Sequence, residues 1–357
     1  MNPTIRFVRG ALLLCAPTLV AGEPPARRVE PPVAATVDTS LPTAGCFIRG
    51  FAFDGDDRTF FASNRKPGAH DHFTLVLDKP VAAKTIAVIT GMSDGWQKLD
   101  GGMIEVSEDG KTFRGLANLR DGAARVILDG RRILAIRIKP APDVRHELVI
   151  REIVIESSPA VATFQYPIEI QVDVNDAPEM RAWAEKVART CERIYPLIIG
   201  ALKSKESDPP HRVTMALKKS YQGVAETLNG HITGSVSYFK NHPHDGGAFI
   251  HEMAHVVQAY PNNNPSWLVE GIADYVRFFQ FEHGKLGPID PDRAYYNGSY
   301  KVSAAFLAYA SEKYDKDLVP KLNRLMQMQQ YTEGVFMELT GKSLDELDEE
   351  WRATLRH

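Results

Sequence analysis

The hydrophobic pattern of this chain changes near residue 158, and that change limits the folds that the chain can adopt. From Cys46 to about Ser157, apolar residues occur in short runs separated by turn residues, with Asp-Gly or Gly-Gly pairs between several of them. Runs of this kind are typical of β-strands. Beyond residue 158, longer stretches with helical spacing of apolar residues become common. We therefore expect two domains, which also suits a length of 357 residues.

The first of these segments, residues 45–158, predicts an antiparallel β-sandwich. Its five clearest strand patterns are Phe73–Leu77, Thr85–Ile89, Met103–Ser107, Ile133–Ile138 and Leu148–Ile155. No amphipathic pattern of helical length interrupts the series, which favours strands that pair with their neighbours in two packed layers.

Four motifs of this segment resemble the discoidin-like (coagulation factor type C) domains. They are Ala52–Ser63, Phe73–Asp78, Val106–Phe113 and Arg151–Ile155. The resemblance implies a galactose-binding type of β-sandwich, for which a glycan is a candidate ligand. The cysteine pair that closes many such domains is missing, since no cysteine follows at the end of the segment.

Two features of the segment have a functional and a structural interpretation. Trp96, in a loop that follows Asp94, could stack on a sugar ring, but loop aromatics more often cover the end of a sandwich. Asp54, Asp56 and Asp57 lack the spacing of a calcium loop, and Asp-Gly turns account for them.

The first 44 residues predict export followed by an extended linker. Two arginines precede the apolar run at 11–20, and small residues follow it, as in a signal peptide at 1–22. The apolar run is too short to span a bilayer comfortably, and no other segment could span one. Residues 23–44 are rich in proline and predict a linker. We therefore expect a secreted or periplasmic protein.

The net charge bears on possible partners, and the cysteine content bears on disulfide bonding. A net charge of -3 gives no reason to expect nucleic acid or an anionic membrane as a partner. Cys46 and Cys191 remain after removal of the signal, and two separate thiols are favoured over a disulfide between the domains. We expect a monomer.

The second segment, residues 165–357, predicts a mixed α+β domain that is mostly helical in its C-terminal half. Strands are expected at 166–174, 212–217 and 234–239, and a helix is expected at 178–203. The last of these strands precedes another helix, for which Asp245 is a plausible N-cap. An exposed strand edge at this point could pair with an extended peptide.

That helix contains His251, Glu252 and His255 in a His-Glu-x-x-His motif. Histidines four apart lie on one face of a helix, so both imidazoles can reach one metal ion. Catalytic zinc usually takes three protein ligands, and Glu270, behind the proline-containing break at 261–265, is well placed to be the third. Asp274 lies one turn beyond Glu270, where it can hydrogen-bond a ligand histidine. Buried core histidines without a metal are the alternative.

From about Phe164 onward the chain resembles the basic secretory protein family, which are zincin-type peptidases of plants and bacteria. The matching segments are His251–Gln258, Trp267–Arg277 and Tyr331–Lys342. The Glu270-Gly271 pair also resembles the glutamate ligand site of aminopeptidase N-type enzymes. These resemblances imply a gluzincin that binds Zn²⁺ through His251, His255 and Glu270.

Such a site needs a general base and an oxyanion donor. Glu252 is expected to take the proton of the attacking water and to pass it to the leaving amine. Tyr300 is our candidate donor, because Ser299–Leu307 resembles the segment that carries the oxyanion tyrosine in aminopeptidase N-type enzymes. That segment departs from the family pattern at Val302 and Ser303. A core tyrosine at a helix start is an equally good interpretation.

Other side chains remain as alternatives for this role or for metal binding. The competitors of Tyr300 are His231, Tyr238, Tyr295 and Tyr296. Structural or solvated roles are favoured for His242 and His244, which lie in a loop. Gln258 either lines the cleft or serves packing.

The sequence thus favours an exported zinc peptidase that acts on protein or glycoprotein substrates, with the sandwich as a targeting module. One alternative is a carbohydrate- or surface-binding protein with a vestigial peptidase domain. Another is an aminopeptidase, although no motif for capturing a free N-terminus is apparent.

Overall fold

The structure, a computed structural model, describes residues 32–202 and 209–356. The predicted signal peptide at 1–22 lies outside these ranges. The linker prediction is wrong for part of 23–44, because Ala35–Thr39 forms strand β1 and pairs antiparallel with Phe73–Leu77. Ala35 and Val37 face the core while Asp38 is exposed, an alternation that the surrounding prolines obscure in the sequence.

The N-terminal part is the expected antiparallel β-sandwich. Its strands are β1, β2 (Phe61–Ala62), β3 (Phe73–Thr90), β4 (Gly102–Ser107), β5 (Arg114–Asn118), β6 (Ala123–Pro140) and β7 (Val149–Ser158). They pair in the order β2-β7-β3-β6-β4-β5, with β1 added to β3. The long strands β3 and β6 belong to both layers: one end of β3 pairs with β1, and the other end pairs with β7.

This arrangement explains why β3 was predicted as two strands. The segments 73–77 and 85–89 are its two ends, and the register against β6 shifts between Val76 and Val81. Such an irregularity bends a strand and allows it to change layers. Leu75 and Ile86, one from each end, are both fully buried in the core between the layers.

The C-terminal part has a four-stranded sheet and a set of helices. Its strands are β8 (Glu169–Asp173), β9 (Arg212–Lys218), β10 (Ala225–Leu228) and β11 (His231–Ser235). The helices are α1 (Arg181–Leu202), α2 (Val236–Asn241), α3 (Gly247–Gln258), α4 (Ser266–Tyr275), α5 (Tyr300–Lys313), α6 (Leu318–Gln327), α7 (Gly334–Thr340) and α8 (Leu344–Thr354). Short 3-10 helices occur at Arg49–Phe53 and Pro178–Met180, and a π-helix at Val276–Phe281 continues α4.

The sheet differs from the prediction next to the metal motif. The predicted strand at 234–239 is wrong, since the strand ends at Ser235 and α2 follows. Ser235 causes the change, because its side chain accepts a hydrogen bond from Tyr238 N and caps α2. The sheet order is β10-β11-β9-β8, with β10 antiparallel to β11 and the other pairs parallel. The edge strand on the β11 side of the sheet is therefore β10, which the sequence interpretation missed.

Polar contacts join the sandwich to this sheet. The carboxylate of Glu169 is buried at the start of β8 and accepts hydrogen bonds from Thr43 Oγ1 at 2.7 Å and Arg49 N at 3.1 Å. The guanidinium of Arg49 lies 2.6 Å from Glu192 in α1, and Arg193 lies 3.1 Å from Asp78. The described residues accordingly belong to one compact unit that contains two hydrophobic cores.

Two further features concern the cysteines and the lengths of the helices. Cys46 is exposed, Cys191 is buried, and both are free thiols. None of the helices within the described ranges combines the length and apolarity that a bilayer span requires.

Candidate active site

Helix α3 carries His251 and His255 one turn apart in a buried setting. Phe249, Ile250 and Met253 of the same helix are buried in the core, which fixes its rotation. The two Nε2 atoms lie 3.0 Å apart, and the ring centroids are separated by 4.7 Å. Both imidazoles therefore point to one place.

Asp245 does not cap this helix, so that prediction is wrong. Gly246 occupies the N-cap position, with helical backbone angles and no side-chain hydrogen bond. The carboxylate of Asp245 binds Arg277 instead, and accepts a hydrogen bond from Tyr238 Oη at 2.7 Å. A cationic partner satisfies a carboxylate better than a backbone amide does.

Helix α4 brings Glu270 to the two histidines. The break at 261–265 reverses the chain, and α4 then packs beside α3. Oε2 of Glu270 lies 3.1 Å from Nε2 of His251 and 3.5 Å from Nε2 of His255. Among the described residues, His251, His255 and Glu270 form the group whose ligand atoms all lie within 4.8 Å of one another.

The other ring nitrogen of each histidine has a buried acceptor. Nδ1 of His251 lies 2.7 Å from Oδ1 of Asp274, as the sequence predicts. Nδ1 of His255 lies 2.6 Å from Oε1 of Gln258, whose Nε2 donates to the carbonyl of Val269 at 2.9 Å. Carboxylate and amide oxygens only accept, so each Nδ1 carries a proton, and in the neutral form of each imidazole Nε2 is the atom with the lone pair that a metal ion binds.

Gln258 is thus a site residue whose role the sequence left undecided. It lies three residues after His255, on the same side of α3, and it is fully buried. A buried polar residue one turn beyond a candidate ligand is the available signal, but packing explains that pattern equally well.

Three candidate metal ligands therefore converge, and the carboxylates around them favour positive charge at this place. Burial disfavours protonation of His251, but hydrogen bonds to Asp274 and Glu270 outweigh it and raise the pKa of His251 to about 9. Burial would raise the pKa of Glu270, yet hydrogen bonds from His251 and His255 lower it to about 2. The site attracts a cation.

The donor set fits zinc. Two imidazoles and one carboxylate are the ligand types and the number that catalytic zinc takes, with a fourth position left for water or substrate. A histidine that binds zinc through Nε2 usually donates a hydrogen bond from Nδ1 to a nearby acceptor, as both histidines do here.

Glu252 lies between the two histidines in sequence and is 6% exposed. Its carboxylate Oε2 accepts a hydrogen bond from Thr227 Oγ1 at 2.7 Å, so the edge strand β10 reaches the site. The sequence interpretation missed Thr227 together with β10. Asn229-Gly230, the strongest short signal for a two-residue hairpin, follows β10 directly and could have revealed it.

Tyr300 lies beside the histidines at the start of α5. Its ring centroid is 5.9 Å from that of His251, with the planes inclined by 24°. The side chain is 55% exposed, so the alternative of a core tyrosine is wrong. Negative charge on Glu270, together with burial, raises the pKa of Tyr300. Ser299 and Tyr300 both have positive φ angles, 64° and 49°, a costly conformation that is common at functional sites.

The three tyrosine competitors of Tyr300 have contacts elsewhere. Tyr238 donates to Asp245, Tyr296 packs on Trp267 and Phe306, and Arg352 lies over the ring of Tyr295. His231 is exposed on β11, and His242 stacks on Tyr238.

Sequence comparison gives the family of the C-terminal part. Residues 177–351 match the family model described as peptidase of plants and bacteria. The matched segment is thus similar to the members of that peptidase family. The matched segment extends from just before α1 into α8, so it includes both helices that carry the histidines and Glu270. No curated protein matches the chain.

Structural comparison matches about a third of the chain to carbohydrate-binding modules. One is a family 32 module from a family 31 glycoside hydrolase of Clostridium perfringens, at 15% identity and TM-score 0.30, covering 34% of this chain and 92% of that one. Another is the family 32 module of NanJ from C. perfringens in complex with galactose, at 16% identity and TM-score 0.29, with 34% and 92% covered. A pectin-binding module has 22% identity and TM-score 0.27, with 36% and 93% covered.

Trp96 and the acidic loop complete the residues singled out in the sandwich. Trp96 is 72% exposed, so it does not cover the end of the sandwich. Asp54 accepts from Asp56 N and Thr59 Oγ1, and Asp56 pairs with Arg58, as expected of a turn.

Proposed function

We propose that this protein is an exported zinc peptidase that hydrolyses peptide bonds in protein or glycoprotein substrates. The convergence of His251, His255 and Glu270 beside Glu252 carries the proposal, together with the peptidase family of residues 177–351. Bound zinc would supply Lewis acidity and would lower the pKa of water from about 16 to about 7.

Each side chain of the site would have a separate role in hydrolysis. Glu252 accepts a proton from water as the water oxygen attacks the carbonyl carbon, and it delivers that proton to the leaving nitrogen when the C–N bond breaks. Tyr300 donates a hydrogen bond to the developing oxyanion. Asp274 and Gln258 hold the two imidazoles in orientation.

The edge strand β10 is the proposed binding surface for the substrate backbone. It pairs only with β11 in the described sheet, so its outer edge can take an extended peptide as a further strand. Because Thr227 of β10 contacts Glu252, a peptide on this edge would lie next to the general base.

We propose that the sandwich directs the enzyme to glycans near its substrates. The exposed indole of Trp96 supports this role, since a free aromatic face can stack on a sugar ring. Export rests on the signal pattern at 1–22.

The decisive test compares E252Q with wild type on a protein substrate after loading with zinc. We expect wild type to cleave and to lose cleavage on chelation, and E252Q to bind one zinc ion yet cleave at least about a hundredfold more slowly. E338Q, in an exposed glutamate of α7, is the matched control and should cleave normally. Full activity of E252Q would refute the proposed mechanism.

A further inference from the structure

A side chain of strand β10 hydrogen-bonds the proposed general base, Glu252, and peptide hydrolysis does not in itself require this contact. Thr227 Oγ1 lies 2.7 Å from Oε2 of Glu252 and 3.1 Å from the main-chain oxygen of the same residue. A hydroxyl has one proton to donate, and the shorter contact, to a charged oxygen, is the stronger hydrogen bond. The side chain of Thr227 therefore restricts rotation of the Glu252 carboxylate.

The position of Thr227 is fixed by a tight hairpin. Asn229 and Gly230 connect β10 to β11 with positive φ angles of 51° and 74°, which is the two-residue turn that matches strand twist. The register pairs Thr227 with buried Ile232. A slip by one residue would turn Thr227 away from α3 and would present Glu226 or Leu228 instead.

The same register determines where the backbone of Thr227 points. Ser235 N donates to Val224 O at 3.0 Å, so Val224 and Ser235 form a hydrogen-bonded pair. Such pairs alternate along an antiparallel ladder, which makes Thr227 and Ile232 a pair without mutual backbone bonds. The N–H and C=O groups of Thr227 accordingly face the outer edge of β10, where a substrate strand would add.

We infer that Thr227 is a positioning residue that couples the bound peptide to the general base. Its backbone would pair with the peptide while its hydroxyl holds the Glu252 carboxylate, so strand addition and base orientation depend on one residue. This inference rests on the proposed function.

The first test separates turnover from binding. T227V keeps the shape and strand preference of threonine but loses the hydroxyl, T227S keeps the hydroxyl, and T233V is the matched control. Thr233 lies on β11 opposite Glu226, and its side chain therefore faces away from α3. We expect T227V to lower kcat at least about tenfold with KM within about twofold of wild type, and T227S to recover most of kcat.

The second test measures the contact without turnover. Denaturant midpoints are compared for wild type, T227V, E252A and the double variant, all as full-length metal-free protein. If the hydroxyl bonds the carboxylate, the double variant is less destabilised than the sum of the single variants.

The inference is overturned if T227V retains the kcat of wild type, if T233V loses as much kcat, if only KM changes, or if the cycle is additive. An inactive wild type would refute the proposed function and this inference with it. An active wild type with an unaffected T227V refutes the inference alone.

Discussion

Substitution of Gln258 tests whether this side chain orients His255. Its Oε1 accepts from His255 Nδ1 at 2.6 Å, and its Nε2 donates to Val269 O at 2.9 Å. Q258M preserves the length of the side chain but leaves both partners unpaired in a fully buried place. Each unpaired buried group costs about 1–3 kcal/mol, so the metal-free protein should lose about 2–6 kcal/mol of unfolding free energy.

Zinc affinity should fall as well, because His255 loses the acceptor that fixes its ring. Loss of such a partner typically weakens metal binding about 10- to 100-fold. Competition with a chromophoric chelator at constant pH would measure the affinity, and urea unfolding of the metal-free protein would measure the stability.

The matched control is Q327M. Gln327 Nε2 donates to the main-chain oxygens of Val257 and Gln258, so its loss perturbs the same end of α3 without touching a histidine. We expect Q327M to lower stability and to leave zinc affinity within about twofold of wild type. The reasoning fails if Q258M binds zinc as tightly as wild type, or if Q327M weakens zinc binding equally.

Three further outcomes are expected. Y300F should lower kcat about 10²- to 10³-fold with zinc content unchanged, and an unaffected kcat would remove Tyr300 from the mechanism. W96A should slow cleavage of a glycoprotein but not of its deglycosylated form; equal effects on both would argue against glycan targeting. Burial and the nearby Asp54 raise the pKa of Glu152 from 4.5 to about 7, so this group stabilises the fold at low pH and the contribution is lost as pH rises through about 7. Between pH 4.5 and pH 8, the unfolding free energy of wild type should therefore fall by up to about 3 kcal/mol more than that of E152Q, as measured by urea titrations of both proteins.

The elements that could be predicted from sequence are those in which function follows from local spacing. His251 and His255 share a helix, so their separation by four residues determines that they meet. Glu270 and Asp274 share the next helix, and the intervening break allows only a close return. The sandwich strands could likewise be identified from local alternation, although the two ends of β3 gave no sign that they were one strand.

The features that escaped prediction depend on contacts between distant residues. Thr227 meets Glu252 across 25 positions of sequence, and only the Asn229-Gly230 turn hints at the strand that carries it. The residues at 35–39 become a strand because β3 offers them an unpaired edge, and the surrounding prolines obscure their short local alternation. Asp245 is a further example, since its side chain binds Arg277, 32 residues away, and does not cap the start of α3.

The unequal partners of the two histidines have a consequence for charge. Asp274 is a carboxylate, whereas Gln258 supplies a neutral oxygen in the corresponding place. If His251, His255 and Glu270 bind zinc as proposed, Glu270 and Asp274 supply two negative charges next to the ion or its histidines, and Glu252 supplies a third nearby. A further carboxylate at position 258 would add to this negative charge and would reduce the pull of the cation on a substrate carbonyl. The amide therefore orients His255 without weakening the Lewis acidity on which the proposed hydrolysis depends, and its remaining N–H group ties α3 to α4 at Val269.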